Sequence, residues 1–278
     1  MKIGVTGPNG RLGSELIKRG CVPLEMRIDD REAVRDALER ESIDVLINCA
    51  AYTAVDDAEK EAEKDALFSS NHRGVGILRQ EFLGFFIHIS TGYVFNGEKG
   101  NYSENDKPDP LNEYGWSKFG GEQAANIRNP TCVVRTLDLF GHGSRIDFVR
   151  AVREMLALNK PIEMPKNLYG NPTYIPSLAD ALLQLATKKS RIGLLHIAGE
   201  SILSRYEFAR LIAKKFDYDH NLILATNKIK GAAPRPRNAG LSIELAKSLG
   251  LPILKVEEAL EEYHSQERAV HEPLNPRV

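Results

Sequence analysis

The feature of this sequence that most constrains its fold is a run of spaced glycines near its start. Gly7, Gly10 and Gly13 stand three residues apart, between the apolar segment Lys2–Thr6 and a helical pattern that begins near Arg11. Glycines at this spacing permit a tight turn and close backbone approaches that a Cβ atom would prevent. The N–H groups at the start of the following helix then lie at the positive end of its dipole. The pattern predicts a strand, turn and helix that bind the pyrophosphate of a dinucleotide.

Strand-like and helix-like segments alternate through the first half of the chain. The predicted strands are 2–6, 22–26, 44–49, 84–90 and 131–136, and the predicted helices are 11–19, 30–40, 55–80 and 113–127. Strands that alternate with helices form right-handed βαβ units and a parallel sheet covered on both faces. The sequence therefore predicts an α/β protein with a Rossmann-type, doubly wound parallel sheet.

The second half of the chain is less regular. It has helical patterns at 147–158, 177–187, 206–216, 243–249 and 256–263, a strand pattern at 193–198 and a proline-rich stretch at 161–176. We expect a dinucleotide-binding Rossmann domain made of residues 1–140 and about 177–198. Residues 141–176 and 199–278 would then form a smaller C-terminal substrate-binding lobe packed on the sheet.

Composition excludes several classes of partner. Lys and Arg number 37 against 38 Asp and Glu, which gives a net charge of -1 and argues against a nucleic-acid partner. No apolar stretch approaches the roughly 20 residues that a transmembrane helix needs, and no signal-like segment opens the chain. The three cysteines are scattered without metal-type spacing. We therefore expect a cytoplasmic protein with reduced cysteines, no metal site and no membrane contact.

The residue that would hold the adenosine ribose is expected about 20 positions after the glycines. Asp29 and Glu25 are the nearest acidic candidates, whereas Arg27 between them is suited to a 2′-phosphate. An equal alternative is that Asp29 is the N-cap of the next helix. The predicted cofactor is therefore NADP or NAD.

Tyr114 and Lys118 carry the chemistry that the sequence predicts. At positions i and i+4 of a helix they lie on the same face, where an ammonium lowers the pKa of a neighbouring phenol. Thr91, with Ser90 beside it, ends a predicted strand at the sheet edge where ligands bind. The alternatives are a solvated helix face for the pair and strand-end capping for the hydroxyls. The combination with the glycine turn favours a proton donor for a carbonyl substrate.

These motifs together resemble those of the extended short-chain dehydrogenases/reductases and, among them, the dTDP-4-dehydrorhamnose reductases. The resemblance covers nearly the whole chain and includes residues 7–13, 48–56, 90–95, 102–104, 110–112, 114–118, 121–122, 135–136, 170–173 and 234–238. It implies that Tyr114, with Lys118 and Thr91, protonates the C4 oxygen of a 4-keto nucleotide sugar while NAD(P)H delivers a hydride to C4. It also implies a nucleotide-diphosphate sugar as partner and a homodimer through helices that flank the sheet.

The candidate site residues fall into two further groups. The predicted cofactor-binding residues are Gly7, Asn9, Gly10, Arg11, Leu12, Gly13, Asp29, Tyr114 and Lys118, and the resemblance adds Ala50, Ala51 and Tyr52. The predicted substrate-binding residues are Ser90, Tyr93, Asp138, Arg235 and Arg237. For the two arginines, a contact to a diphosphate and a structural ion pair are equal alternatives.

The chain departs from the family pattern on the side expected to hold the sugar. Gly92 stands where the family usually has Asp, Asp138 where it has an aromatic residue, and Asn167–Leu168 where it has Asp-Gln. We expect that hydride chemistry is retained while the preferred sugar differs. Two alternatives are a nucleotide-sugar epimerase or dehydratase, although Gly92 lacks the acid a dehydratase needs, and a non-catalytic NAD(P)-binding regulatory subunit.

Overall fold

The computed structural model describes residues 1–143, 146–189 and 192–271. The strands are β1 (Ile3–Thr6), β2 (Val22–Leu24), β3 (Val45–Asn48), β4 (Phe85–Thr91), β5 (Thr131–Thr136), β6 (Leu139–Phe140), β7 (Ile162–Pro165), β8 (Tyr169–Gly170), β9 (Thr173–Tyr174), β10 (Leu194–His196), β11 (Leu203–Ser204) and β12 (Ile223–Thr226). The α-helices are α1 (Arg11–Lys18), α2 (Arg31–Glu41), α3 (Lys64–Phe68), α4 (Gly74–Glu81), α5 (Glu113–Ala125), α6 (Phe148–Leu156), α7 (Ile175–Lys188), α8 (Arg205–Lys215), α9 (Glu244–Ser248) and α10 (Val256–His271). Residues 272–278 of the predicted lobe lie outside the described residues.

A six-stranded sheet in the order β10-β5-β4-β3-β1-β2 forms the centre of the protein. Every neighbouring pair in it is parallel. Because all six carboxyl ends lie at one edge, the residues after β1, β3, β4 and β5 converge there. This topology confirms the predicted Rossmann-type fold.

Alternate side chains of the strands are buried on opposite faces of the sheet. Val5 and Ile47 belong to the hydrophobic cluster shared with α1 and α7, whereas Leu46 and Phe86 belong to the cluster shared with α2, α4 and α5. Each such buried side chain contributes about 1.5–3 kcal/mol. The two clusters make the sheet doubly wound and hold its carboxyl edge in place.

A third cluster lies among the shorter elements of the second half. It joins Phe140 and Tyr174 to side chains of α6, α8 and α10, including Phe208 and Tyr263. Three small pairings accompany it: β6 with β9 and β7 with β12 are parallel, and β8 with β11 is antiparallel. Within the described ranges, no helix has both the length and the apolar composition to cross a membrane.

The continuous helix predicted over residues 55–80 is wrong. The segment is instead two short 3₁₀ turns, then α3, a π-helical turn over Ser69–Arg73 and α4. The π-helical turn lets Asn71 face the main chain of Tyr52. At Gly74, a Cβ would lie 2.7 Å from the side chain of Ile28, so α4 packs against the loop after β2 only through a glycine. Tertiary contacts therefore override the helical periodicity.

Candidate active site

The glycine turn is fixed by backbone contacts. Gly7 has a φ of +63°, and a Cβ there would lie 2.8 Å from the amide nitrogen of Ala50. A Cβ on Gly13 would lie only 2.1 Å from the carbonyl oxygen of Gly7. Any side chain at these two positions would therefore separate α1 from the ends of β1 and β3.

The start of α1 is open to a ligand. Gly10 is the N-cap and has no side chain to accept a hydrogen bond from the first N–H groups of the helix. Arg11 follows it, lines the crevice, and donates from Nη1 to the carbonyl oxygen of Leu139 at 3.0 Å. The uncapped N–H groups and the positive end of the helix dipole make this end of the crevice suited to a diphosphate.

A cavity of about 440 Å³ opens from this turn across the carboxyl edge of the sheet. It brings together these predicted site residues: Gly10, Arg11, Leu12, Gly13, Ala51, Ser90, Thr91, Tyr93, Tyr114, Lys118 and Asp138. It is also lined by residues that the sequence reasoning missed: Cys49, Thr53, Val55, Ile89, Thr136, Leu137, Leu139 and Ile146. Part of this set could have been found from the sequence. Residues 136–139 end and directly follow a central strand, where ligands bind to a parallel sheet.

Tyr114 and Lys118 lie one turn apart at the start of α5, as predicted. Asn112 caps this helix by accepting the N–H of Gly115 at 2.7 Å. A Cβ on Gly115 would lie 2.4 Å from the carbonyl oxygen of Tyr93, so a glycine lets α5 approach the sheet edge closely. Lys118 is buried and donates from Nζ to the carbonyl oxygen of Ile89 at 2.7 Å. Burial lowers the pKa of Lys118 to about 8.

The phenol of Tyr114 is protonated more firmly than the sequence suggested. Its enclosure in the cavity raises its pKa to about 12, and the hydroxyl of Thr91 opposes this shift through a hydrogen bond. Burial therefore outweighs the lowering of the pKa that the sequence predicted for this phenol. Tyr93 packs edge-on against Tyr114, with ring centroids 5.9 Å apart.

Asn71 joins the loop after β3 to α5. Its side chain accepts from the amide of Tyr52 at 2.8 Å and donates to the carbonyl of Tyr52 at 3.0 Å and to Ser117 Oγ at 2.9 Å. The Tyr52 hydroxyl donates to Glu63 at 3.0 Å. The Tyr52 side chain therefore lies outside the cavity. Of the three predicted residues in this loop, Ala51 lines the cavity.

Ser90 lines the cavity, but its hydroxyl is engaged by a buried carboxylate. Its hydroxyl donates to Glu122 Oε1 at 2.5 Å, and Glu122 is also paired with Arg135. Thr91 differs, because its Oγ1 accepts the N–H of Tyr93 at 3.2 Å and its side chain lines the cavity. Of the two hydroxyls, Thr91 is therefore the one placed beside Tyr114.

Asp29 is not the N-cap of α2. Asp30 has that role, since it accepts the N–H of Ala33 at 3.1 Å. Asp29 instead receives Arg27 Nε and Nη2, at 3.1 and 2.8 Å, and Ser69 Oγ at 2.6 Å. The hydrogen bonds from Arg27 and Ser69 lower the pKa of Asp29 to about 2. Both charges lie outside the residues that line the cavity.

Two ion pairs lie near Tyr93, on the side of the crevice expected to hold the sugar, and Asp138 is their member that lines the cavity. Asp138, in the left-handed region at φ +51°, is paired with Arg205. Arg235 donates from Nη2 to Asp56 Oδ2 at 2.8 Å. For this arginine, the structure thus has the structural ion pair that the sequence left as one of two alternatives. Burial raises the pKa of Tyr93 and the charges of both pairs act on it, so both lie near its phenol.

The other departures from the family pattern, Gly92 and Asn167–Leu168, are not among the residues that line the cavity. A Cβ on Gly92 would lie 3.0 Å from the carbonyl oxygen of Ala239, so a side chain here would require the neighbouring segment to shift by a few tenths of an ångström. Asn167 donates to the carbonyl of Asn227 at 3.2 Å, and the carbonyl of Leu168 accepts the N–H of Arg205. Arg237 has an exposed side chain, and its carbonyl accepts the N–H of Tyr169 at 2.7 Å.

Seven predicted cofactor or substrate residues are not among those that line the cavity: Gly7, Asn9, Asp29, Ala50, Tyr52, Arg235 and Arg237. Gly7 and Ala50 instead pack closely against each other, where the glycine turn meets the residues after β3. Among the described residues, no group of three or more His, Cys, Asp or Glu side chains is arranged to hold a metal ion.

Comparison with known proteins gives this crevice its context. The sequence profile described as RmlD substrate binding domain matches residues 1–269. The chain belongs to this family. A dTDP-4-dehydrorhamnose reductase of Mycolicibacterium smegmatis is 33% identical over 94% of this chain and 84% of its own length.

Two further comparisons connect the family to a cofactor and to a second kind of protein. The crystal structure of dTDP-4-dehydrorhamnose reductase from Bacillus anthracis in complex with NADP superposes with a TM-score of 0.89, at 28% identity, over 96% of this chain and 100% of that chain. The methionine adenosyltransferase 2 subunit beta of Danio rerio is 31% identical over 91% of this chain and 86% of its own length. The resemblance inferred from the motifs is thereby confirmed.

Proposed function

We propose that this chain is an NAD(P)H-dependent reductase that converts the keto group of a 4-keto nucleotide sugar to a hydroxyl. The observation that carries the proposal is the position of Tyr114, Lys118 and Thr91 in the same cavity as the open start of α1. Membership of the family and the likeness to an NADP complex support it.

The glycine turn fits the diphosphate of a nicotinamide dinucleotide. Gly7 and Gly13 leave a backbone surface that a Cβ would block, and the first N–H groups of α1 face the crevice without a side-chain cap. Lys118 and Tyr114 would hold the nicotinamide half of the cofactor. A reduced nicotinamide, when bound, supplies the hydride for C4 of the sugar.

Tyr114 would donate the proton. Since the pKa of its phenol is raised to about 12, the hydroxyl stays protonated at neutral pH until charge develops on the C4 oxygen. Thr91 would hold that oxygen by a hydrogen bond, and the Lys118 ammonium would stabilise the phenolate that remains. Hydride to carbon and proton to oxygen balance the conversion of C=O to CH–OH.

The direct test is oxidation of NADPH and NADH, followed by absorbance, with a panel of 4-keto nucleotide sugars that includes dTDP-4-dehydrorhamnose. We expect turnover with at least one sugar and its collapse in Tyr114→Phe. Turnover that the variant retains would exclude Tyr114 as the proton donor.

The sugar itself is proposed to differ from dTDP-4-dehydrorhamnose. The support is the charged Asp138–Arg205 pair in place of the aromatic residue that the family pattern implies, and the small Gly92 in place of an acid. We expect another 4-keto nucleotide sugar to be reduced with higher kcat/KM. Efficient reduction of dTDP-4-dehydrorhamnose above the rest of the panel would contradict this.

The second candidate function is a non-catalytic, NAD(P)-binding regulatory subunit. The observation in its favour is the likeness to a methionine adenosyltransferase subunit beta. Cofactor binding without turnover of any sugar would favour this function. The buried Lys118 beside Tyr114 favours the reductase, because a site without chemistry has no need of a buried ammonium.

Three other inferences stay predictions. The two-part domain division places the substrate lobe around α6, α8 and α10, and expression of residues 1–140 joined to 177–198 would test whether the dinucleotide-binding part folds without that lobe. The homodimer is tested by sedimentation of the full chain. The cytoplasmic location is tested by fractionation of the source cell.

A further inference from the structure

A buried ion pair lies directly behind the helix that carries Tyr114 and Lys118. Glu122 on α5 and Arg135 on β5 are each 2% exposed. Arg135 donates from Nε to Oε1 at 2.8 Å and from Nη2 to Oε2 at 2.7 Å. Apolar residues of the same volume often stabilise a protein as well as such a pair does. Stability alone therefore does not explain these charges.

The pair is joined to Lys118 through both α5 and β4. Lys118 and Glu122 are one helical turn apart, so they share a face of α5. Lys118 Nζ bonds the carbonyl of Ile89, and the next residue, Ser90, donates its hydroxyl to Glu122. Arg135 is the register partner of Ser90 on β5. The ammonium, the carboxylate and the guanidinium therefore lie in sequence along one buried interface.

Most of the other groups around Lys118 are uncharged near neutral pH. Burial raises the pKa of Cys49 to about 12 and that of Tyr114 also to about 12. Burial, with the charge of Lys118, lowers the pKa of His88 and keeps its imidazole neutral. Arg11 lines the same cavity and donates to the carbonyl oxygen of Leu139 at its far end.

Arg135 also faces neutral groups on its far side. Its guanidinium lies over the Phe95 ring, 5.0 Å from the centroid, and Nη1 is 3.4 Å from His196 Nε2. Burial and the charge of Arg135 lower the pKa of His196 to about 3, so this imidazole adds no charge at neutral pH. Beyond this imidazole, the carboxylate of Glu104 accepts the N–H of His196 at 2.9 Å, and the charge of Asp106 acts on the ring. Glu122 is therefore the carboxylate of this group that bonds Arg135 directly.

We propose that Glu122 is a positioning residue of this reductase, and that the charge balance of the Glu122–Arg135 pair sets the pH at which Lys118 loses its proton. A carboxylate one turn away favours the ammonium, and a guanidinium opposes it. The inference rests on the proposed function and deepens it, since only the charged Lys118 stabilises the phenolate of Tyr114. The direction agrees with the environment of Lys118, where burial lowers the pKa and Glu122 raises it.

The test is an NMR titration of the full chain with lysine labelled at ¹³Cε, in which the signal missing from Lys118→Arg identifies Lys118. We expect Glu122→Gln to lower the apparent pKa of Lys118 by about one unit, because Arg135 then acts unopposed. Glu122→Gln with Arg135→Met removes both charges and should restore the wild-type value to within about 0.3 units. Glu154→Gln removes a half-exposed ion pair on α6 and should leave the titration unchanged.

A second pair of variants keeps the test decisive if Glu122→Gln alone does not fold. Arg135→Met retains the Glu122 carboxylate and the double variant does not, so Lys118 should titrate about one unit higher in the single variant. Equal titration of Lys118 in these two variants, or in wild type and Glu122→Gln, would overturn the inference. The alkaline limb of kcat/KM should move with the NMR value. Absence of turnover in wild type would instead count against the proposed function, while the titration still tests Glu122.

Discussion

The cofactor side and the sugar side of the crevice are held in place by different interactions. On the cofactor side, the turn from Gly7 to Gly13 is fixed by backbone atoms so close that no Cβ fits between them. On the sugar side, Asp138 and Arg235 are held by ion pairs with Arg205 and Asp56. Close backbone packing tolerates almost no substitution, whereas an ion pair is replaced by changing two side chains.

This difference separates the residues proposed for the chemistry from those proposed for sugar preference. Lys118 and Tyr114 depend on the central sheet through β4 and α5, and their positions do not involve the ion pairs. The sugar side depends on segments far apart in sequence, such as the left-handed turn at Asp138 and the start of α8 at Arg205. Chemistry and sugar preference are therefore expected to respond to separate sets of substitutions.

The largest effect is expected from Tyr114→Phe on the catalytic side. Loss of the proton donor should lower kcat by about 10²- to 10⁴-fold, while the Kd of NADPH changes little because the ring remains. Steady-state kinetics and fluorescence titration of NADPH measure the two quantities. A fall in cofactor affinity as large as the fall in kcat would show that the hydroxyl binds rather than reacts.

Gly13→Ala should break the cofactor side alone. Its Cβ would lie 2.1 Å from the carbonyl oxygen of Gly7, and overpacking of this kind costs about 1–3 kcal/mol. We expect at least about a tenfold weaker Kd for NADPH by titration. Gly193→Ala is the matched control, because its Cβ would meet no atom within 4 Å. Equal losses in the two variants would contradict the packing argument.

Asp138→Asn should affect only the sugar side. The change leaves Arg205 without its counter-charge and removes a carboxylate from the cavity wall, which costs about 1–3 kcal/mol. The KM of the sugar should rise by about tenfold. The Kd of NADPH should stay within about twofold, since the phosphate end of the cavity is untouched. A parallel loss of NADPH affinity would show that the two sides are not independent.

The smallest effect is expected at the adenosine end. Arg27 is paired with Asp29, but its side chain is 82% exposed, so a 2′-phosphate can also reach its guanidinium. Arg27→Ala should weaken NADPH by about two- to fivefold and leave NADH unchanged. Arg35→Ala, another exposed arginine, is the control. Equal changes in the affinity for both cofactors would place the adenosine ribose elsewhere.

The sequence predicted the parts of the site that local patterns determine. The glycine turn, the strand ends and the Tyr114–Lys118 spacing each follow from residues close in the chain, and the structure brings Thr91 beside them. The alternative that Asp29 is the N-cap of α2 was wrong by one residue. Asp29 and Asp30 are equivalent by pattern, and the contact that separates their roles is the one from the distant Ser69 to Asp29.

Features that depend on residues far apart in the chain could not be predicted from the sequence. The partner of Ser90 is Glu122, a full helix away, so its hydroxyl could not be assigned to the fold rather than the substrate. The protonated state of Tyr114 depends on burial, which no spacing reveals. The break in the predicted helix over 55–80 depends on Asn71 reaching Tyr52.

The measurement that tests the central claim most directly is transfer of deuterium from NADPH labelled at nicotinamide C4 to the sugar product. With the preferred 4-keto nucleotide sugar, NMR and mass spectrometry of the product should show deuterium at sugar C4, at one atom per NADPH oxidised, and Tyr114→Phe should slow this labelling by about 10²- to 10⁴-fold. Product labelled at another carbon, or NADPH consumed with no deuterium in the sugar, would contradict the assignment of this chain as a 4-keto reductase.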